Sequence, residues 1–146
     1  MTTTIQRRRG RRAVAATAIA PLLALAYAGA AHADSAPLTW TFEKCATSGS
    51  TWEGTATGPD GTVALRTELT GLRETARIWH VGLDWEVGDL YLARLNGTLN
   101  LKTGAVVMNG TVAEGDYAGS QVHEEGQLYD ADRGCFAGTI TVIPAT

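Results

Sequence analysis

Glu124 is the residue whose type and position in this sequence best fit chemistry. It alternates with Val122, Gly126 and Leu128, and alternate side chains of a β-strand point to the same face. Glu124 is therefore predicted to face an apolar interior, where a carboxylate must be hydrogen-bonded, neutral or close to an opening. There it could act alone as the general acid or base of a cyclisation or isomerisation. The alternative is that Glu124 lies hydrated and inert at the opening.

Metal and cofactor sites are not indicated by the remaining polar residues. His123 and Glu125 share one strand face while Glu124 takes the other, so at most two metal ligands converge there. The sequence contains no zinc-protease helix motif, no paired-cysteine metal motif and no nucleophile elbow. We therefore predict no metal site and no cofactor.

The two cysteines, Cys45 and Cys135, lie near opposite ends of the chain that follows residue 33. In an exported protein such a pair indicates a disulfide. Two free buried thiols are the alternative.

Eight segments alternate apolar and polar residues between turns rich in Gly, Asp, Asn and Pro, a pattern typical of β-strands. They are 38–44, 51–57, 63–70, 75–87, 90–101, 106–114, 121–129 and 135–143. Five of the glycines within these segments lie on the face that carries the apolar residues: Gly54, Gly97, Gly110, Gly126 and Gly138. Glycines in the middle of a strand that face the interior of the sheet permit the sharp bends of small barrels.

The positions of the cysteines favour closure of the sheet. Both fall in the outward phase of the first and last segments, so a bond between them requires those strands to be neighbours. We predict an all-β fold, a single antiparallel eight-stranded up-and-down β-barrel closed by one disulfide. A β-sandwich is the alternative.

The aromatic residues predict a ligand site inside this barrel. All four tryptophans share the inward phase of the first four segments, and Met108 shares the inward phase of Gly110. Large rings that face glycines leave either a tight stack or a slot, and ligand pockets are mainly apolar with a few polar anchors. We predict that a small apolar ligand contacts five residues: Trp40, Trp52, Trp79, Trp85 and Met108. Glu124 would be the polar anchor.

The first 33 residues have the pattern of a secretory signal peptide. A basic block at 7–12 precedes an apolar run at 13–28, and Ala31, His32 and Ala33 form a small-x-small cleavage site. The apolar run is too short to span a bilayer. We predict a signal peptide at 1–33, a barrel domain at 34–146 and secretion to the extracellular space, by the Sec or the twin-arginine route.

Removal of the leader makes the domain acidic. Five of the 12 Lys and Arg residues lie in the leader and none of the 15 Asp and Glu residues do, so the net charge becomes about −8. Proteins that bind nucleic acids or anionic membranes need clustered Lys and Arg on their surface. We therefore predict no nucleic-acid partner and, after cleavage, no membrane partner.

The plan of the chain resembles the small secreted β-barrels of the allene-oxide-cyclase-like and dirigent-like group and, more loosely, the lipocalin-type calycins. The resemblance depends on eight short strands with glycine-bearing inner faces, and on Phe136-Ala137-Gly138-Thr139 followed by Ile143-Pro144. That group includes cyclases, proteins that direct stereochemistry and members of unknown role. The resemblance therefore implies a barrel and leaves its activity open.

Three functions fit these patterns. The first is binding of a small apolar ligand in a Trp-lined interior. The second is a cofactor-free cyclase or isomerase with Glu124 as acid or base. The third is an extracellular interaction or inhibitor domain whose barrel is filled. They differ in whether the tryptophans pack the interior solid or leave a pocket.

Overall fold

The computed structural model describes residues 35–145, which form eight β-strands. They are β1 (Leu38–Ala46), β2 (Thr51–Gly58), β3 (Gly61–Glu74), β4 (Ile78–Val87), β5 (Tyr91–Asn100), β6 (Ala105–Gly115), β7 (Gln121–Asp130) and β8 (Cys135–Ile143). Over this part of the chain no helix is long and apolar enough to cross a membrane. The signal peptide predicted at 1–33 lies outside the described residues.

The strands close into one barrel. Each strand pairs antiparallel with the next in sequence, and β8 pairs antiparallel with β1. Along β1, Leu38 lies opposite Val142 and the register continues without interruption to Cys45 opposite Cys135. The predicted up-and-down barrel is therefore confirmed, and the sandwich alternative is wrong.

A disulfide joins the first and last strands. Cys45 and Cys135 are directly opposed in the register of β1 and β8, with their Cα atoms 4.0 Å apart and an S–S bond of 2.05 Å. The predicted bond is confirmed, and it crosses the seam at which the barrel closes.

The boundary between β3 and β4 differs from the predicted one. Segment 75–87 was expected to be one strand, but β4 begins at Ile78. Thr75 explains the difference, because its hydroxyl and its backbone N–H both donate to the carbonyl of Ile78, at 2.6 and 3.0 Å. These bonds close a tight turn, so residues 75–77 leave the ladder.

A β-bulge near the end of β3 changes which side chains face inward. Thr70 lies between Leu69 and Gly71 and has no opposing residue in β4. An extra residue shifts the alternation by one. Leu72 therefore pairs with Val81 and shares its inward face.

Glycines within the strands allow neighbouring backbones to approach closely. A Cβ atom built on Gly110 would lie 1.8 Å from the carbonyl oxygen of Arg94 in β5, which no side chain can tolerate. Three further positions would bring a Cβ within 1.9 to 2.1 Å of a carbonyl oxygen in a neighbouring strand: Gly54, Gly97 and Gly138. The sheet can therefore coil tightly enough to close with eight strands.

One end of the barrel is packed solid with aromatic rings. Trp40 of β1 lies 5.3 Å from Tyr91 and 5.8 Å from Tyr117, measured between ring centroids, in edge-to-face geometry. Tyr117 belongs to the connection between β6 and β7 and covers this end. Buried aliphatic side chains fill the space around the rings: Ala56, Leu65, Val87, Val112 and Val142.

Candidate functional site

The opposite end of the barrel holds a cavity of about 140 Å³. It lies towards the end where β1, β3, β5 and β7 finish, on the side of the disulfide. Most of its wall is apolar and consists of Trp52, Leu69, Leu72, Trp79, Val81, Leu83, Leu99, Val106, Met108 and Phe136. Two ionisable side chains, Lys44 and Glu124, also line it. The interior is therefore divided into a packed half and a half with space.

The five residues predicted to contact a ligand are divided between these two halves. Trp52, Trp79 and Met108 line the cavity. Trp85 is fully buried and lies behind Lys44, and Trp40 belongs to the aromatic cluster of the packed end. Two of the four inward-facing tryptophans therefore reach the cavity, and Met108 lies opposite Glu124 in the register of β6 and β7.

Glu124 is buried, as its phase in the sequence predicts. It is 1% exposed, and its neighbours across the sheet are Met108 in β6 and Ile140 in β8. Its Oε2 atom finds no hydrogen-bond partner among the described residues. Burial raises the pKa of this carboxyl, and the charges of Lys44 and His123 partly oppose that rise.

Lys44 is the second ionisable residue of the cavity, and it is not among the site residues predicted from the sequence. It is 3% exposed, and its Nζ atom lies 3.8 Å from the ring centroid of Trp85. Phe42 and Phe136 are next, with centroids at 5.4 and 6.0 Å. An ammonium above an indole face is held by a cation–π interaction. The signal was present, because Lys44 continues the inward alternation of Leu38, Trp40 and Phe42.

Burial shifts the pKa of Lys44 strongly. Removal from water lowers it from 10.5 to about 8, while the nearby charge of Glu124 acts in the opposite direction. Lys44 and Glu124 do not form one of the ion pairs found among the described residues. The charges of the two groups therefore influence each other's pKa although they form no ion pair, and both side chains line the cavity.

His123 faces away from the cavity and is held by its neighbours on the outer face. Its Nδ1 atom lies 2.7 Å from Oδ1 of Asn109, and its Nε2 atom lies 3.2 Å from Oε1 of Glu125. Within residues 35–145, no three His, Cys, Asp or Glu side chains are grouped closely enough to hold a metal ion.

Comparison with known proteins assigns no family to the chain, since neither a protein-family profile nor a curated protein matches it. The resemblance to allene-oxide-cyclase-like barrels stays a prediction.

Proposed function

We propose that this protein binds a small apolar ligand in the open half of its barrel. The observation that carries the proposal is the cavity of about 140 Å³, bounded mainly by aliphatic and aromatic side chains, in a barrel whose other end is packed. An eight-stranded barrel has an interior just wide enough for side chains or one small ligand. Space here, beside tightly packed rings at the other end, favours binding over a filled interaction domain.

The volume sets the size of the ligand. Apolar cavities of about 150 Å³ in proteins accept benzene, so the buried part of the ligand corresponds to one ring with few substituents. For about seven heavy atoms at an efficiency between the known limits of roughly 0.3 and 1.5 kcal/mol per atom, a dissociation constant on the order of 10⁻⁴ M is expected for such a fragment. A natural ligand that extends out through the opening of the cavity would bind more tightly.

The mouth of the cavity, where Leu72 and Trp79 lie, also favours an apolar ligand. Leu72, which the bulge in β3 turns inward, lines the cavity and is nearly half exposed. Trp79, at the beginning of β4, is half-buried and lines the same opening. A ligand that enters can therefore exchange water for apolar contacts before it reaches Lys44 and Glu124.

The proposal includes export of the protein. The leader pattern at 1–33 supports it, and so does the disulfide, since such bonds persist mainly in oxidising compartments. The ligand would then be a molecule met outside the cytoplasm.

A cofactor-free cyclase or isomerase is the second candidate, and Glu124 is the observation that favours it. A buried carboxyl with a raised pKa and an unpartnered oxygen beside an apolar cavity has the properties of a general acid or base. Glu124→Gln keeps the size of the side chain and removes its proton chemistry. For a true substrate, turnover should then fall far more than affinity.

The binding proposal is tested by titration with fluorobenzene, followed by ¹⁹F NMR. We expect saturable binding, and Trp79→Ala should weaken it about tenfold because one aromatic wall of the mouth is lost. Tyr129→Ala is the matched control, since Tyr129 is an exposed aromatic residue outside the cavity. Equal affinities of wild type and Trp79→Ala would place the binding site elsewhere.

A further inference from the structure

Lys44 is the one lysine that lines the cavity. The chain has two lysines, and the other, Lys102, is exposed in the turn between β5 and β6. Lysine is among the residues least often buried, and this one is placed above Trp85, among apolar walls, within reach of a ligand. Neither the packing of the barrel nor simple binding of an apolar ring needs an amine at this position.

The surroundings of Lys44 favour its reactive form. An amine attacks a carbonyl carbon only when it is neutral, and desolvation in an apolar pocket activates lysines in this way. With a pKa of about 8, roughly a tenth of the Lys44 amine is neutral at pH 7, against less than about one part in a thousand for an ordinary lysine. The cavity supplies this lysine together with a space in which an electrophile can be held.

We propose that Lys44 captures small apolar aldehydes as a reversible imine. The proposal deepens the proposed function, because the aldehyde must first occupy the apolar cavity. The neutral Nζ atom attacks the carbonyl carbon, and proton transfer from nitrogen to oxygen gives a carbinolamine. The C–O bond then breaks, water leaves and a C=N bond to Nζ forms. One water is released for each imine, and no oxidant or reductant takes part.

Glu124 provides the proton that this step requires. Loss of hydroxide from a carbinolamine needs a general acid, and a carboxyl whose pKa is raised by burial keeps a larger protonated fraction near neutral pH. The Oε2 atom of Glu124 has no hydrogen-bond partner among the described residues. Glu124 also lines the same cavity as Lys44. After water leaves, the carboxylate can stabilise the positive charge of the protonated imine.

Charge at the site gives an ionic ligand no advantage over an aldehyde. A carboxylate or an ammonium would meet one like and one opposite charge when Lys44 and Glu124 are ionised, and it would also lose its own hydration in an apolar cavity. A carbonyl is neutral, accepts a hydrogen bond from an ammonium and presents an electrophilic carbon. The remaining space, about 140 Å³ with apolar walls, suits an aromatic or short aliphatic substituent.

The test is reductive trapping of the intact domain with benzaldehyde and cyanoborohydride at pH 7, followed by peptide mapping. We expect one benzyl group on Lys44, added at least about tenfold faster than on Lys102, which serves as the internal reference. Lys44→Met should remove this fast labelling, and Glu124→Gln should slow it severalfold. Glycolaldehyde, which is polar, should show no preference for Lys44 over Lys102.

Fluorobenzene separates this inference from the proposed function. If the inference is correct, saturating fluorobenzene should protect Lys44 from benzaldehyde and leave Lys102 unaffected. If fluorobenzene binds in the cavity but Lys44 is labelled no faster than Lys102, imine capture is overturned and ligand binding stands. If fluorobenzene fails to bind and Lys44 is not labelled, both are overturned.

Discussion

Replacing Cys45 and Cys135 together by alanine is expected to lower the free energy of unfolding by about 2–5 kcal/mol. The disulfide links residues 90 positions apart, and closing a loop of that length removes conformational entropy from the unfolded chain worth about 4 to 5 kcal/mol in the chain-entropy model. Urea unfolding followed by tryptophan emission measures the change. The dependence on urea should also steepen, because an unfolded chain without the link exposes more surface.

A second cross-strand pair on the same seam provides the control. Thr39 and Thr141 lie opposite each other in β1 and β8, with their hydroxyl oxygens 3.1 Å apart. Replacing both by alanine should cost less than about 1 kcal/mol, as is typical of one cross-strand pair. A cysteine double variant that is no less stable than this control would show that the covalent link does not stabilise the closed barrel.

Replacing Lys44 by methionine and Glu124 by leucine in the same chain should stabilise the fold by about 1–4 kcal/mol. For each residue, burial is the largest cause of the pKa shift and outweighs the attraction between the two charges. The pair therefore opposes folding, and apolar side chains of similar size remove that cost. Thermal and urea unfolding at pH 7 measure the gain, and reductive trapping at position 44 should disappear.

The gain should depend on pH in a defined direction. Because the pKa of Lys44 is lower in the folded state, the unfolded chain binds more protons between about pH 8 and 10.5, and wild-type stability rises with pH in that window relative to the variant. The advantage of the double variant should therefore shrink above pH 8. A double variant that is less stable than wild type at pH 7 would mean that the pair stabilises the barrel.

The exposed ion pair between Arg94 and Asp84 is the control for this experiment. These residues lie opposite each other on β5 and β4, with 3.7 Å between Nε and Oδ1. Exposed pairs contribute about 0–1 kcal/mol. Arg94→Met combined with Asp84→Asn should therefore change stability little and without the dependence above pH 8.

Strand alternation made the barrel predictable from the sequence. In β7 it places Glu124 inside with Val122, and in β1 it places Trp40 and Phe42 inside. The outward phase of the cysteines, together with their positions in the first and last strands, was sufficient to predict closure. The face that a side chain occupies is a local property, because it depends only on the two-residue period of a strand.

The division of the interior into a packed and an open half could not be predicted in this way. Alternation shows that Trp40 and Trp79 both point inward, but not at which height of the barrel each one lies. That height depends on the stagger between strands, which is set by long-range register. The bulge at Thr70 turned Leu72 inward against the simple pattern.

Lys44 was missed for a different reason. It follows Phe42 in the inward alternation, but lysine is usually exposed, and the end of a strand is the natural place to expose it. Its burial depends on Trp85, which lies on β4 and offers a ring face for the ammonium. Only the closed barrel brings Lys44 and Trp85 together. The pairing of Lys44 with Glu124 in one cavity could therefore not be predicted from the sequence.

The proposed binding of a small apolar ligand in the open half of the barrel can be tested by filling that space. Val106 lines the cavity, whereas Val107, the next residue of β6, is 43% exposed on the outer face. We expect Val106→Phe to weaken fluorobenzene binding at least tenfold, because the new ring occupies the ligand's volume, and Val107→Phe to bind as the wild type does. Equal binding by both variants, or none by the wild type, would contradict the claim.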